Sequence, residues 1–162
     1  MYQWIVLLHI VGAFVFIISH GVSGFMAYQV SRERDRARIA ALLDLSSASL
    51  GGTYLGLLLL LVGGIWAGLD GGHFGRGWIW AAIVVLVAII VAMYAIASSY
   101  FNRLRVVVGV RSRYGPRDAP IPPAGSDAEV AGMAAGAPFA ALSGIGLGGL
   151  LIILWLMVVK PF

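Results

Sequence analysis

Polar residues are spread unevenly along this chain. Apolar stretches at roughly 2–30, 49–69, 77–101 and 131–159 are separated by shorter segments that hold nearly all the charge. A helix rises ~1.5 Å per residue, so about twenty residues cross the ~30 Å hydrocarbon core of a bilayer. The first stretch, at about 40 Å as a helix, exceeds that core and is expected to tilt or to project at one end. Irregular backbone is not tolerated against lipid, so each stretch is predicted as a transmembrane helix. The expected fold class is an all-α membrane protein: one domain over residues 1–162, an antiparallel four-transmembrane-helix bundle.

The basic residues give the expected orientation. Arg32, Arg34, Arg36 and Arg38 follow the first stretch, and Arg103, Arg105, Arg111, Arg113 and Arg117 follow the third. Only Arg76 and Lys160 fall on the other side, nine against two. The positive-inside rule then makes 31–48 and 102–130 cytoplasmic loops and puts both termini outside. Trp4, Trp66, Trp78, Trp80 and Trp155 fall at the opposite ends of the helices, as an interfacial belt does.

Within the first loop, alternating charges give way to Ile39, Leu42, Leu43 and Leu45. That spacing suits a short amphipathic helix on the inner surface, or equally a helical extension of a neighbouring span. The second connection, from Asp70 to Gly77, is glycine-rich and predicts a tight turn. Residues 102–110 read as a continuation of helix three, and 115–123 as a proline-rich linker. Ser126 or Asp127, followed by Glu129, is expected to cap the last helix, and Pro138 to kink it.

Composition sharpens the class. Hydrophobic residues make up 60% and charged residues 11%, with a mean hydropathy of +0.95, which excludes an ordinary soluble domain. Cysteine is absent, so disulfide and thiolate chemistry are excluded. A net charge of +4 confined to two loops does not point to nucleic acid. The N-terminus lacks a basic leader region and a small-residue cleavage site, so it is expected to be a first span, not a signal peptide. Helices in lipid approach through small residues, and Gly52/Gly56, Gly144/Gly148 and the trio Gly12, Gly21, Gly24 are expected ridges within the bundle. The alternative for one of these ridges is an oligomer interface in place of a contact within the bundle. The glycine run from Gly144 to Gly149 lacks a preceding strand and is no phosphate loop.

Two of the three histidines, His9 and His20, lie in the first helix. Their spacing of eleven residues is about three turns, so they share a face, ~16 Å apart along the axis. Ionisable groups in a membrane face the bundle interior. A b-type haem needs nitrogen or sulfur axial ligands, and Met93 and Met157 are the partners that height along the helices offers to His20 and His9. A copper site built from His9, His73 and Met157, with Asp70 supplying an oxygen, is the other candidate. The plainer reading is an imidazole hydrogen-bonded across the bundle to Ser19, Ser23, Thr53, Tyr94, Ser143 or a carbonyl, with His73 a turn residue facing solvent. None of the seven acidic residues lies deep in a helix, which argues against proton-coupled transport and against Ser/His/Asp hydrolysis.

From His9-Ile-Val-Gly-Ala-Phe to Gly24, helix one resembles the opening of a group of small bacterial predicted integral membrane proteins akin to the copper-resistance D domain. Tyr100-Phe-Asn-Arg-Leu-Arg and Trp155-Leu-Met-Val-Val-Lys-Pro are similar to that group as well. Where copper-resistance members often carry a tryptophan and a Gly-Gly pair, this chain has Phe16 and Ser19-His20. The resemblance implies a four-helix fold; most of the group has no assigned activity.

The expected function is that of a non-enzymatic scaffold or accessory subunit in a bacterial cytoplasmic membrane. Its expected partners are lipid and either its own copies or other membrane subunits, with no cofactor. The alternatives are a protein binding haem b or copper through His9 and His20, and, less favoured, a passive channel or small-solute carrier.

Overall fold

Asp35 decides where the second helix begins. Its carboxylate accepts the Arg38 backbone N–H at 2.9 Å, capping a helix that starts at Arg36 and runs without a break to Asp70. In the computed structural model, which describes every residue except 114, 115, 117, 119 and 122, only residues 33–35 separate this helix from the first. The loop expected over 31–48 is therefore helical from Arg36 onward, and the second helix starts there, not at 49. Ile39 and Leu43 explain the extension, because both are buried against neighbouring helices.

The chain is all-helical, with no strand among the described residues. Four rods are long and apolar enough to cross a membrane. The first is α1 (Tyr2–Arg32) and the second α2 (Arg36–Asp70). A turn follows, with Gly72 at φ 63 and a short 3-10 segment over His73–Gly75. The third rod is α3 (Gly77–Met93), one π-helical turn over Tyr94–Ser98, then α4 (Ser99–Val108), which ends as Gly109 takes φ 85. The fourth is α5 (Asp127–Ala135) and α6 (Phe139–Val159).

Ser126 caps α5 by accepting the Glu129 N–H at 3.2 Å, as expected from sequence. At Pro138 the expected kink is a full break: helix stops at Ala135 and resumes at Phe139, with Pro138 as the cap. Gly136 precedes the proline, and two poor helix formers close together leave no continuous ladder to bend. The linker reading for 115–123 falls partly on residues outside the described ones.

The rods pair off. Along α1, residues 9, 12, 16 and 19 meet residues 63, 59–60, 56 and 52 of α2, and Ser23 meets Ser46 and Ser49. A Cβ on Gly12 would lie 2.3 Å from the Leu60 nitrogen, and one on Gly56 2.3 Å from the Phe16 nitrogen. Gly63 is the same case, 2.7 Å from the His9 nitrogen. Backbones this close admit no side chain. In the second pair, α3 and α6 touch where Ile89 covers Gly149.

The ridge Gly144/Gly148 is not a contact within the bundle, the first of the two expectations for it. An added Cβ at either residue meets nothing within 4 Å, so that ridge lies outside the contacts of the bundle, as do Gly21 and Gly24.

The two pairs are clamped at both ends. At the arginine-rich end Val30, Ile39, Leu43, Leu104, Val108, Val130 and Ala134 form a dry collar from α1, α2, α4 and α5. Arg105 spans from α4 to Asp44 at 2.8 Å, and Arg36 from α2 to Asp127 at 2.7 Å. At the tryptophan-rich end Trp78, Ile79, Ala82 and Leu156 form a second core, and the Phe74 ring lies over Gly68 of α2.

Candidate functional site

Between these clamps the pairs stand apart. The gap is a cavity of about 670 Å³ in the half of the bundle nearer the arginines, lined from all four rods. That falls within the roughly 300–1,000 Å³ typical of small-molecule sites. Its walls are chiefly apolar, and Ile17, Tyr54, Tyr94 and Leu147 on its margin are exposed, so it opens at the side of the bundle.

Small residues make the space. Gly21 and Gly24 on α1 and Gly146 on α6 line it, where larger side chains would fill it. Both irregular segments border it too: Tyr94, Ala97 and Ser98 come from the π-helical turn, and Phe139 opens the helix after the Pro138 break. A π-turn inserts an extra residue and re-aims the side chains beyond it, and such turns recur at functional sites. The carbonyl of Met133, near the break, accepts the Tyr100 hydroxyl.

The two histidines of α1 have different surroundings. His9 Nδ1 lies 2.7 Å from the Leu60 carbonyl oxygen, which can only accept, so Nδ1 carries the hydrogen. Its ring packs over Gly64. This is the hydrogen-bonded packing role. His20 makes no hydrogen bond among the described residues; it stacks on Phe16 with ring centroids 5.3 Å apart and lines the cavity. Ser23 and Ser46, which line the same cavity, bond to one another, and Ser23 also bonds to Ser49 at 2.8 Å.

Met93 lines the same cavity, with its methyl group 3.6 Å from the position of a Cβ on Gly146. The structure thus brings His20 and Met93 to one space. Their nitrogen and sulfur are the donor types found as axial ligands of a haem iron. His9 and Met157 do not line it.

The other candidate residues gather at the tryptophan end. His73 Nε2 is 3.2 Å from the Tyr2 hydroxyl, and its ring lies 5.7 Å from that of Trp78. Met157 packs against the core around Trp78. His9 lies seven residues along α1 from Tyr2, ~10 Å further into the bundle, and is committed to Leu60. Among the described residues no group of three His, Cys, Asp or Glu side chains is placed to hold a metal ion, Asp70 included.

At the arginine end of the cavity stand Asn102, Arg105 and Arg113. Arg105 is fully engaged: besides Asp44 it donates to the Leu43 carbonyl and Ser47 hydroxyl, each at 3.1 Å, and to the Arg111 carbonyl at 3.0 Å. Asn102 Oδ1 accepts both the Ser112 hydroxyl and the Arg113 N–H at 3.0 Å. These bonds pin the loop that carries Arg113 beside the cavity. Sequence reasoning missed this cluster because Arg105 and its α2 partners Leu43, Asp44 and Ser47 lie 58–62 residues apart, and Arg105 read as one more topology signal.

Beyond the cavity, the Glu33 carboxylate accepts the N–H groups of Arg34 at 2.8 Å and Asp35 at 3.1 Å. Those bonds, with the Arg38 guanidinium adding a smaller share, hold its carboxyl below the ordinary value.

No family model matches the chain, and neither a curated protein nor a solved structure matches it.

Proposed function

We propose that this chain is a small non-enzymatic accessory protein of a bacterial cytoplasmic membrane that holds a small molecule between its two helix pairs. In this reading the rods form an antiparallel bundle with both termini outside. The arginine asymmetry supports the orientation. The opposite running order of the contacts between α1 and α2 supports the antiparallel arrangement.

The observation that carries the reading is the side-opening cavity, walled by both pairs and bordered by the π-helical turn of the third rod and the break in the fourth. Binding sites within membrane bundles are often built at broken helices, and π-helical turns recur at functional sites. Among the described residues the cavity lining holds no carboxylate, so binding fits it better than acid–base turnover. The open face at Gly144 and Gly148 supports attachment to a second copy or a larger complex.

Gly24→Leu tests the reading, because an added side chain there meets no neighbour and projects at the cavity wall. The gently purified wild type should carry a co-extracted small molecule near one per chain, and the variant should lose it. Identical extracts from the two would remove the proposal.

A second reading, a b-type haem protein, is favoured by one observation: His20 and Met93 line the same cavity. Oxidised and dithionite-reduced absorption spectra, with metal analysis on the same sample, decide it. A Soret band that His20→Ala abolishes would install haem as the occupant; a colourless, metal-free protein would end this reading.

A further inference from the structure

We propose that the cavity takes one acyl chain of an anionic glycerophospholipid from the inner leaflet, with the lipid phosphate seated at Arg113. This rests on the cavity being a binding site, and it names the ligand. The walls are apolar and the opening is lateral, so a chain enters from the bilayer without crossing water. The polar end of the ligand must then lie at the arginine end, level with the headgroups of that leaflet.

Charge at that end selects the headgroup. Arg113 has one long hydrogen bond, 3.5 Å to the Ser47 carbonyl, and no carboxylate partner among the described residues. Asp44 is taken by Arg105. With Arg105 balanced by Asp44, Arg113 leaves the described lining of the cavity with an excess of positive charge. A guanidinium binds phosphate oxygens through paired charge-assisted bonds, and anionic lipids are enriched in the cytoplasmic leaflet. A choline headgroup would bring a second cation to the same place.

The arginine is built into position. Asn102 holds the Ser112 hydroxyl and the Arg113 backbone, and Arg105 holds the Arg111 carbonyl, so the loop is fastened to α4 beside the cavity. A purely solvated topology arginine needs no such fastening.

The test titrates the full chain in mild detergent with phosphatidylglycerol or phosphatidylcholine of identical chains, and counts bound lipid by native mass spectrometry. One phosphatidylglycerol should bind with roughly fivefold preference, the worth of one interfacial arginine. Arg113→Gln should bring the two lipids level, and Gly24→Leu, checked for helix content, should abolish retention of both. Equal binding of both lipids to the wild type, or preference surviving in Arg113→Gln, overturns the headgroup assignment. If Gly24→Leu still removes the lipid in that case, the cavity remains a binding site with another selectivity. Retention unaffected by Gly24→Leu, no retained lipid at all, or a coloured cofactor in its place overturns the proposal.

Discussion

The His9 side chain reaches across to the Leu60 carbonyl at 2.7 Å, and this bond joins α1 to α2 where Gly63 and Gly64 let the two helices touch. His20, on the same helix, makes no such bond and faces the cavity. His9→Ala should therefore cost stability, about 1 kcal/mol for an interhelical bond in a membrane protein, and more through the lost packing. His20→Ala should leave the unfolding temperature nearly unchanged. Thermal unfolding of both variants in one detergent checks this; equal losses would mean that the histidines do the same job.

The glycines divide in the same way. Gly56→Ala sets a methyl group against the Phe16 backbone and should destabilise by about 1–3 kcal/mol, the usual cost of overpacking. Gly144→Ala meets open space and should gain up to ~1 kcal/mol from helix propensity. A loss of stability at Gly144, accompanied by dissociation on size-exclusion chromatography, would instead mark that ridge as a contact between copies.

Four spans could be read from the chain because an apolar run of twenty residues has few other solutions in a bilayer. The α1/α2 seam could be read in part. Gly52, Gly56 and Gly12 were visible as ridges, and Gly63 extends the Gly52/Gly56 face by two turns, a continuation the spacing already contained. Gly144 and Gly148 have the same spacing but no neighbour, because a small-residue pattern says that a face can pack and not what it packs against. The π-helical turn left no signal, since Tyr94-Ala-Ile-Ala-Ser holds neither proline nor glycine. The candidate site was half legible: His20 and Met93 were named for their chemistry. The cavity that unites them depends on how two helix pairs splay, which no local pattern encodes.

The collar is the nearest thing here to a soluble core. Leu104 and Val130 are fully buried in it. Leu104→Ala should cost about 2–5 kcal/mol, the range for a large-to-small change in a packed core. Asp127→Asn, which weakens the exposed end of the Arg36 pair, should cost no more than about 1 kcal/mol. A detergent unfolding series comparing the two would expose a collar held by charge if their order were reversed.

Glu33 gives the link between α1 and α2 a pH dependence. Backbone N–H bonds from Arg34 and Asp35, and secondarily Arg38, lower its carboxyl below 4.5. A depressed value contributes stability above the unfolded-state value and loses it as pH falls through the folded one. The link and the first turn of α2 should therefore loosen only in acid below about pH 4.5, the ordinary value. Carboxyl NMR of labelled Glu33 should show the low titration; an ordinary titration would mean that the two backbone bonds are not kept in solution.

Among the described residues Arg105 has the most hydrogen-bonded side chain at the arginine end, and its removal should free the loop while the helices stay formed. Losing its bond to the Arg111 carbonyl removes one of the two α4 side chains that fasten residues 111–113, the other being Asn102. Arg105→Ala should then raise tryptic cleavage after Arg111 and Arg113 several-fold in detergent while helix content stays constant. Asp44→Asn should leave cleavage near the wild-type rate, because Arg105 keeps its bonds to the Leu43 carbonyl, the Ser47 hydroxyl and the Arg111 carbonyl. Peptide mass spectrometry over a time course separates the cases. Equal acceleration in both variants would make the Asp44 pair the fastening. No acceleration in either would shift the fastening from Arg105 to Asn102, and Asn102→Ala should then be the variant that frees Arg113.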